Sequence, residues 1–96
     1  MGGPSCEVLL EVDDDSALCA IDAILAAVSA PIKRTRKGRV WSVWIAGHPV
    51  YVSVERSPPS VALSAGCNGP EDYEILRKLA GEIVSTLGGV ASEPVK

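Results

Sequence analysis

Cys67 and His48 are the residues whose types and placement offer chemistry. Cys67 directly precedes Asn68-Gly69-Pro70-Glu71-Asp72, which reads as a helix start, and His48, the chain's single histidine, lies in the turn signal Gly47-His48. A helix N-terminus favours thiolate over thiol, because its unpaired N–H groups carry partial positive charge. With His48 as base and an Asp to orient it, Cys67 would be a cysteine nucleophile. The competing reading is structural. Cys67 continues the apolar alternation Val61, Leu63, Ala65, and His48 is then a turn residue only. We adopt the structural reading: no catalytic residue is assigned, and Cys67 and His48 remain the pair a thiol enzyme would use.

The cysteines Cys6, Cys19 and Cys67 are odd in number and show no CxxC spacing. A disulfide framework or zinc site therefore lacks support, and with one His a Cys/His cluster would need nearly every candidate ligand at once. No metal and no cofactor are expected, and the cysteines point to a reduced, cytoplasmic protein. The start Met1-Gly2-Gly3-Pro4-Ser5-Cys6 has neither the basic nor the apolar part of a signal peptide. A myristoylation motif would want Ser or Thr where Cys6 stands. The longest apolar run, Ala23 to Val28, is far short of the roughly 20 residues of a membrane span, so no membrane partner is expected.

Lys33, Arg34, Arg36, Lys37 and Arg39 place five positive charges in a seven-residue connector. Such a segment can contact phosphate, and Trp44 with Tyr51 could stack on bases. Nucleic-acid binding is thus the alternative function. Against it stand the net charge of −3, the absence of the aromatic-rich motifs of RNA-recognition domains, and the ordinary fate of charged loops, which is solvation.

These residues must be carried by a small framework. Ninety-six residues, 47% of them hydrophobic, suit one core and exclude a disordered chain. With no Phe and an aromatic share of 4%, aliphatic side chains must build that core. Cys6 to Val12 alternates as a strand. Asp13-Asp14-Asp15-Ser16 supplies acceptors and negative charge for a helix start. The helix is expected over about Ala17 to Ala30, with Leu18, Ile21, Ile24, Leu25 and Val28 as its stripe and Pro31 as its stop. A short strand over Ile32 to Arg36 is an open option.

Val40 to Ala46 and Pro49 to Glu55 read as a hairpin about Gly47-His48. Trp41, Val43, Ile45, Val50, Val52 and Val54 then share an apolar face, and Val40, Ser42, Trp44, Tyr51, Ser53 and Glu55 the other. In this register Trp44 and Tyr51 are cross-strand neighbours. After the turn Ser57-Pro58-Pro59-Ser60, Val61 to Cys67 alternates again. A second helix follows from Pro70, with Leu76, Leu79, Ala80, Ile83 and Leu87 inward, until Gly88-Gly89 stops it.

The order β-α-β-β-β-α predicts an α+β two-layer sandwich: a mainly antiparallel four-stranded sheet with both helices on one face. Residues 6–89 form the domain, 1–5 a flexible N-terminus and 90–96 a flexible tail. If directions alternate, the finish of the first strand, the Gly47-His48 turn, Cys67 and both helix starts share one end. The basic connector, Arg56, the Pro-Pro turn and both helix C-termini share the other, so acids and bases would sort to opposite ends.

Two surfaces stand out. The outer face of the first helix (Cys19, Ala20, Ala23, Ala26, Ala27) carries no Lys, Arg or Glu. The sheet face away from the helices carries Val40, Ser42, Trp44, Tyr51 and Ser53, a contiguous patch that suggests a protein partner. The expected function is a small non-catalytic interaction or accessory domain, pairing with itself as a homodimer or with another protein. Nucleic-acid binding and a thiol enzyme are the alternatives.

Overall fold

The structure is a computed structural model and describes residues 3–29, 34–56 and 58–96. Among these residues it is an α+β fold of two helices and one antiparallel sheet. The elements are β1 (Ser5–Leu9), α1 (Asp14–Val28), β2 (Thr35–Lys37), β3 (Val40–Ile45), β4 (His48–Arg56), β5 (Pro59–Ala65), α2 (Pro70–Leu87) and β6 (Val90–Ala91). The strands lie in the order β2-β3-β4-β5-β1-β6.

The sheet has six strands where four were expected, and both additions are short. β2 closes on β3 through a tight turn at Gly38, whose φ of 63° a glycine adopts without strain. Its first two residues, Thr35 and Arg36, fall within the optional strand suggested above; Ala30, Pro31, Ile32 and Lys33 lie outside the described residues. β6 pairs with the far edge of β1 (Leu9↔Val90, Val8↔Ala91). The ladder continues beyond it. Ser92 N–H donates to Glu7 O at 2.8 Å, and Ser5 and Val95 exchange two backbone bonds of 2.8 and 2.9 Å.

Asp13 caps α1, its carboxylate accepting from Ser16 N–H at 2.8 Å. The Ser16 bonds hold the Asp13 carboxyl below its ordinary range. At the other end, the Ser29 hydroxyl and N–H both donate to Leu25 O. In α2, Pro70 occupies the first turn, and Asp72 returns its carboxylate to Gly69 N–H at 2.9 Å.

One core unites Ala17, Ile21 and Leu25 of α1 and Leu76, Leu79, Ala80 and Ile83 of α2 with alternate strand residues. From the sheet come Cys6, Val8, Trp41, Val43, Val50, Val52, Val54, Val61, Leu63 and Ala65, all buried. Ile45, expected among them, is half-buried beside the turn. Val28, expected in the α1 stripe, is 40% exposed, because α1 buries only a four-residue-spaced line.

The hairpin register differs from expectation by two residues. Ala46 and Gly47 form the turn, with φ of 53° and 82°. Positive φ at both central positions is the two-residue type I′ geometry, which fits the twist of the flanking strands. Ile45 therefore pairs with His48, Trp44 with Pro49 and Ser42 with Tyr51. Trp44 and Tyr51 are not cross-strand neighbours. A shift of two preserves the side-chain period, so each residue keeps its face and only its neighbour changes.

The sorting of the ends is also corrected. β1 is antiparallel to β5, with Leu9 opposite Ser60. Leu10 N–H donates to Pro59 O at 2.9 Å. The finish of β1 and the start of α1 thus lie beside the β4–β5 turn, Arg56 and the Gly38 turn. The start of α2 lies at the other end, with the Ala46-Gly47 turn. The physical reason is strand count. β2 runs in the direction of β1, so β3 starts from the opposite end to the one a chain without β2 would use. Acids and bases consequently do not sort to opposite ends: the Asp13–Asp15 segment shares its end with Arg39 and Arg56.

Candidate functional site

Among the described residues, no three His, Cys, Asp or Glu side chains are grouped to hold a metal ion. No helix among them is long and apolar enough to cross a membrane.

The end around the α2 start does bring the thiol-enzyme residues together in part. His48 opens β4, and its Nδ1 lies 3.1 Å from Asp72 Oδ1. Asp72 is buried at 1% exposure, while His48 is half-buried. With Oδ2 taken by Gly69 N–H, both carboxylate oxygens are occupied. The pairing of Gly66 N–H with Pro49 O, at 2.9 Å, places Cys67 just past the ladder, across from His48. The sequence left open which Asp would orient the imidazole, and the structure brings Asp72 to it. The arrangement ties the α2 start to the first residue of β4. The imidazole's bond goes to Asp72, and Cys67, expected to continue the buried face of Val61, Leu63 and Ala65, is instead exposed because it lies past the end of β5.

All three cysteines are free, with Cys19 and Cys67 exposed and Cys6 buried. Burial pushes the Cys6 thiol up to about 11, and the charge of Glu93 adds to the shift. Its thiolate is disfavoured in the fold, so stability falls as pH rises from 9 towards that value. A thiol reagent at pH 8 should titrate Cys19 and Cys67 in the native protein and Cys6 only after denaturant is added. Fast modification of all three without unfolding would contradict the burial of Cys6.

The basic connector is not a loop from Thr35 onward. Strand alternation sends its cations to both faces of the sheet. Arg36 turns to the core side, with its guanidinium 4.7 Å from the centre of the Trp41 ring and 3.8 Å from Asp22 Oδ1. Trp41, fully buried, donates its indole N–H to the same Asp22 oxygen at 3.0 Å. Arg39 Nε donates to Val54 O at 3.0 Å. Arg34 is half-buried, Lys37 belongs to the opposite face with its partner Val40, and Lys33 lies outside the described residues. Among the described residues the cations do not form one stripe, and a stripe is what tracking a phosphate backbone requires.

The remaining candidate is the sheet face away from the core. Two rows cross it in register. One is Thr35, Ser42, Tyr51, Ser64, Ser5; the other is Lys37, Val40, Ser53, Ala62, Glu7. Val40 is 48% exposed, Tyr51 44% and Leu9 50%. Trp44 is half-buried against Pro49, and Tyr51 leans over Gly66, where a Cβ would lie 3.4 Å from its ring. Between the larger residues the small side chains of Ser53, Ala62 and Ser64 leave a depression of about 570 Å3, bounded by Val40, Tyr51 and Val95. The edge role of Val95 was missed by sequence reasoning, because nothing local marks a tail residue that docks on a distant strand. On the first helix, Cys19, Ala23, Ala26 and Ala27 are exposed and Ala20 is half-buried, so α2 does not cover that face.

Set against family models, characterised proteins and solved structures, the chain matches none of them.

Proposed function

We propose that this is a non-catalytic interaction domain that pairs with a second copy of itself through the open sheet face. In this reading α1 and α2 form one layer, the sheet the other, and Val40, Ser42, Trp44, Tyr51 and Ser53 the contact. The observation that carries it is the apolar exposure of Val40 and Tyr51 around a floor of small side chains, with Leu9 exposed farther along β1. A two-fold axis makes such a patch its own partner, so one surface suffices for both sides. The three free thiols fit a place in the reducing cytoplasm.

Size sets the expected strength. Four strands about 4.8 Å apart and six residues deep, at about 3.4 Å each, present a face of roughly 400 Å2. Two such faces fall below the roughly 1,200 Å2 at which standard interfaces begin. At about 25 cal/mol per Å2 of apolar area the burial exceeds ordering and association costs by only a narrow margin. Sedimentation velocity over a concentration series should therefore show a reversible monomer–dimer equilibrium with a dissociation constant in the micromolar range or weaker. Tyr51→Glu should sediment as a folded monomer throughout, because it charges the patch without opening the core. A wild-type protein that stays monomeric at millimolar concentration rules this function out.

The engagement of Arg36 and Arg39 within the fold weighs against the nucleic-acid alternative. His48 has in Asp72 the orienting carboxylate a thiol enzyme would need, but among the described residues no hydrogen bond joins it to Cys67, and this weighs against that alternative.

A further inference from the structure

We infer that the two-fold axis of the pair runs parallel to the strands through β4, so that Lys37 of each copy meets Glu7 of the other. This rests on the pairing proposed above and adds its geometry.

The row Lys37, Val40, Ser53, Ala62, Glu7 is a straight line of directly opposed residues across five adjacent strands. Lys37 and Glu7 are both exposed and stand at its ends, with Ser53 at its centre. Four strand spacings of about 4.8 Å separate them by roughly 19 Å, so they cannot pair within one chain. A face-to-face pair of sheets has two simple axes to choose from. An axis along the row lays Lys37 on Lys37 and Glu7 on Glu7. An axis along the strands reverses the row, and lays Lys37 on Glu7 twice.

Like charges brought together repel and opposite charges fix register, so the charges select the second axis. The apolar positions agree with it. The same reversal sets Val40 over the smaller Ala62 of the other copy, and in the neighbouring row it brings Tyr51 to Tyr51 with Ser42 over Ser64. Larger side chains then meet smaller ones or a ring partner, as packed sheets need.

Charge exchange tests the axis. Lys37→Glu and Glu7→Lys should each raise the dimer dissociation constant about tenfold, because each homodimer then holds two like-charged contacts. An equimolar mixture of the two variants should recover wild-type association, since both contacts in the mixed pair again join opposite charges. The double variant Lys37→Glu/Glu7→Lys, in a single chain, should recover it as well, and added salt should shrink all of these differences. A wild-type dimer whose affinity is unmoved by the single changes, or a mixture that fails to recover, overturns the axis while leaving the pairing intact. A wild-type monomer overturns the pairing, and the axis with it.

Discussion

Val52→Asp is expected to unfold the domain, whereas Ser53→Asp, one residue along, is expected to leave it folded. Val52 is 1% exposed at the middle of β4, flanked by Trp41 on β3 and Leu63 on β5. All three belong to the core that both helices complete. A carboxylate there is buried among apolar side chains, and burying an ionised group in such surroundings costs several kcal/mol even after they relax. The apolar burial of the valine is lost in addition, at about 2 kcal/mol. A domain of this size has a total stability of about 5–15 kcal/mol, so the substitution removes much or all of it. Ser53 belongs to the other face and is half-buried among Val40 and Ala62, where a carboxylate keeps its water. Far-UV circular dichroism and urea titration of the two variants decide the matter. Equal stability of both would mean that β4 does not present Val52 to the core.

Gly89→Val should produce the second large effect, and a local one. Gly89 has φ of 101°, and a Cβ on it would lie 2.1 Å from the carbonyl oxygen of Leu9. The backbone conformation alone costs a side-chain-bearing residue about 1–3 kcal/mol. The contact with a backbone carbonyl cannot be relieved by a rotamer change. β6 and the residues after it must therefore move off β1. That sacrifices the bonds from Ser92 and Val95 to Glu7 and Ser5, each contributing about 0.5–1.5 kcal/mol. The loss is bounded by what docking of the segment contributes, since the chain can detach rather than strain further. A fall of about 3 kcal/mol, or more than about 10 °C in melting temperature, is expected for a domain of this length. Hydrogen exchange should show the amides of Ser5 and Glu7 losing protection while the core strands keep theirs. Unchanged protection at both amides would show that β6 does not depend on the Gly89 turn.

The two variants probe different kinds of information in the chain. The faces of β3, β4 and β5 and the caps of both helices are legible in the sequence, because they rest on periods of two and on contacts a few residues apart. Val50, Val52 and Val54 alternate with Tyr51 and Ser53 whatever the strand is paired with, and Asp13 and Pro70 mark helix starts by local hydrogen bonding and fixed φ. The His48–Asp72 contact was half legible: placing Cys67, His48 and the α2 start at one end needs only the connectivity after β3, but choosing Asp72 needs its side-chain direction. Tertiary structure alone decided the rest. Whether Trp44 meets Tyr51 or Pro49 depends on which two residues turn, and both registers satisfy the same alternation. β2 and β6, three and two residues long, are too short to carry a pattern and exist because a neighbouring edge accepts their hydrogen bonds. Their count sets strand direction, and strand direction sets which end receives Asp13, Arg39 and Arg56. A long-range property of the whole chain thus hangs on a three-residue strand whose stability comes from β3 and not from its own residues.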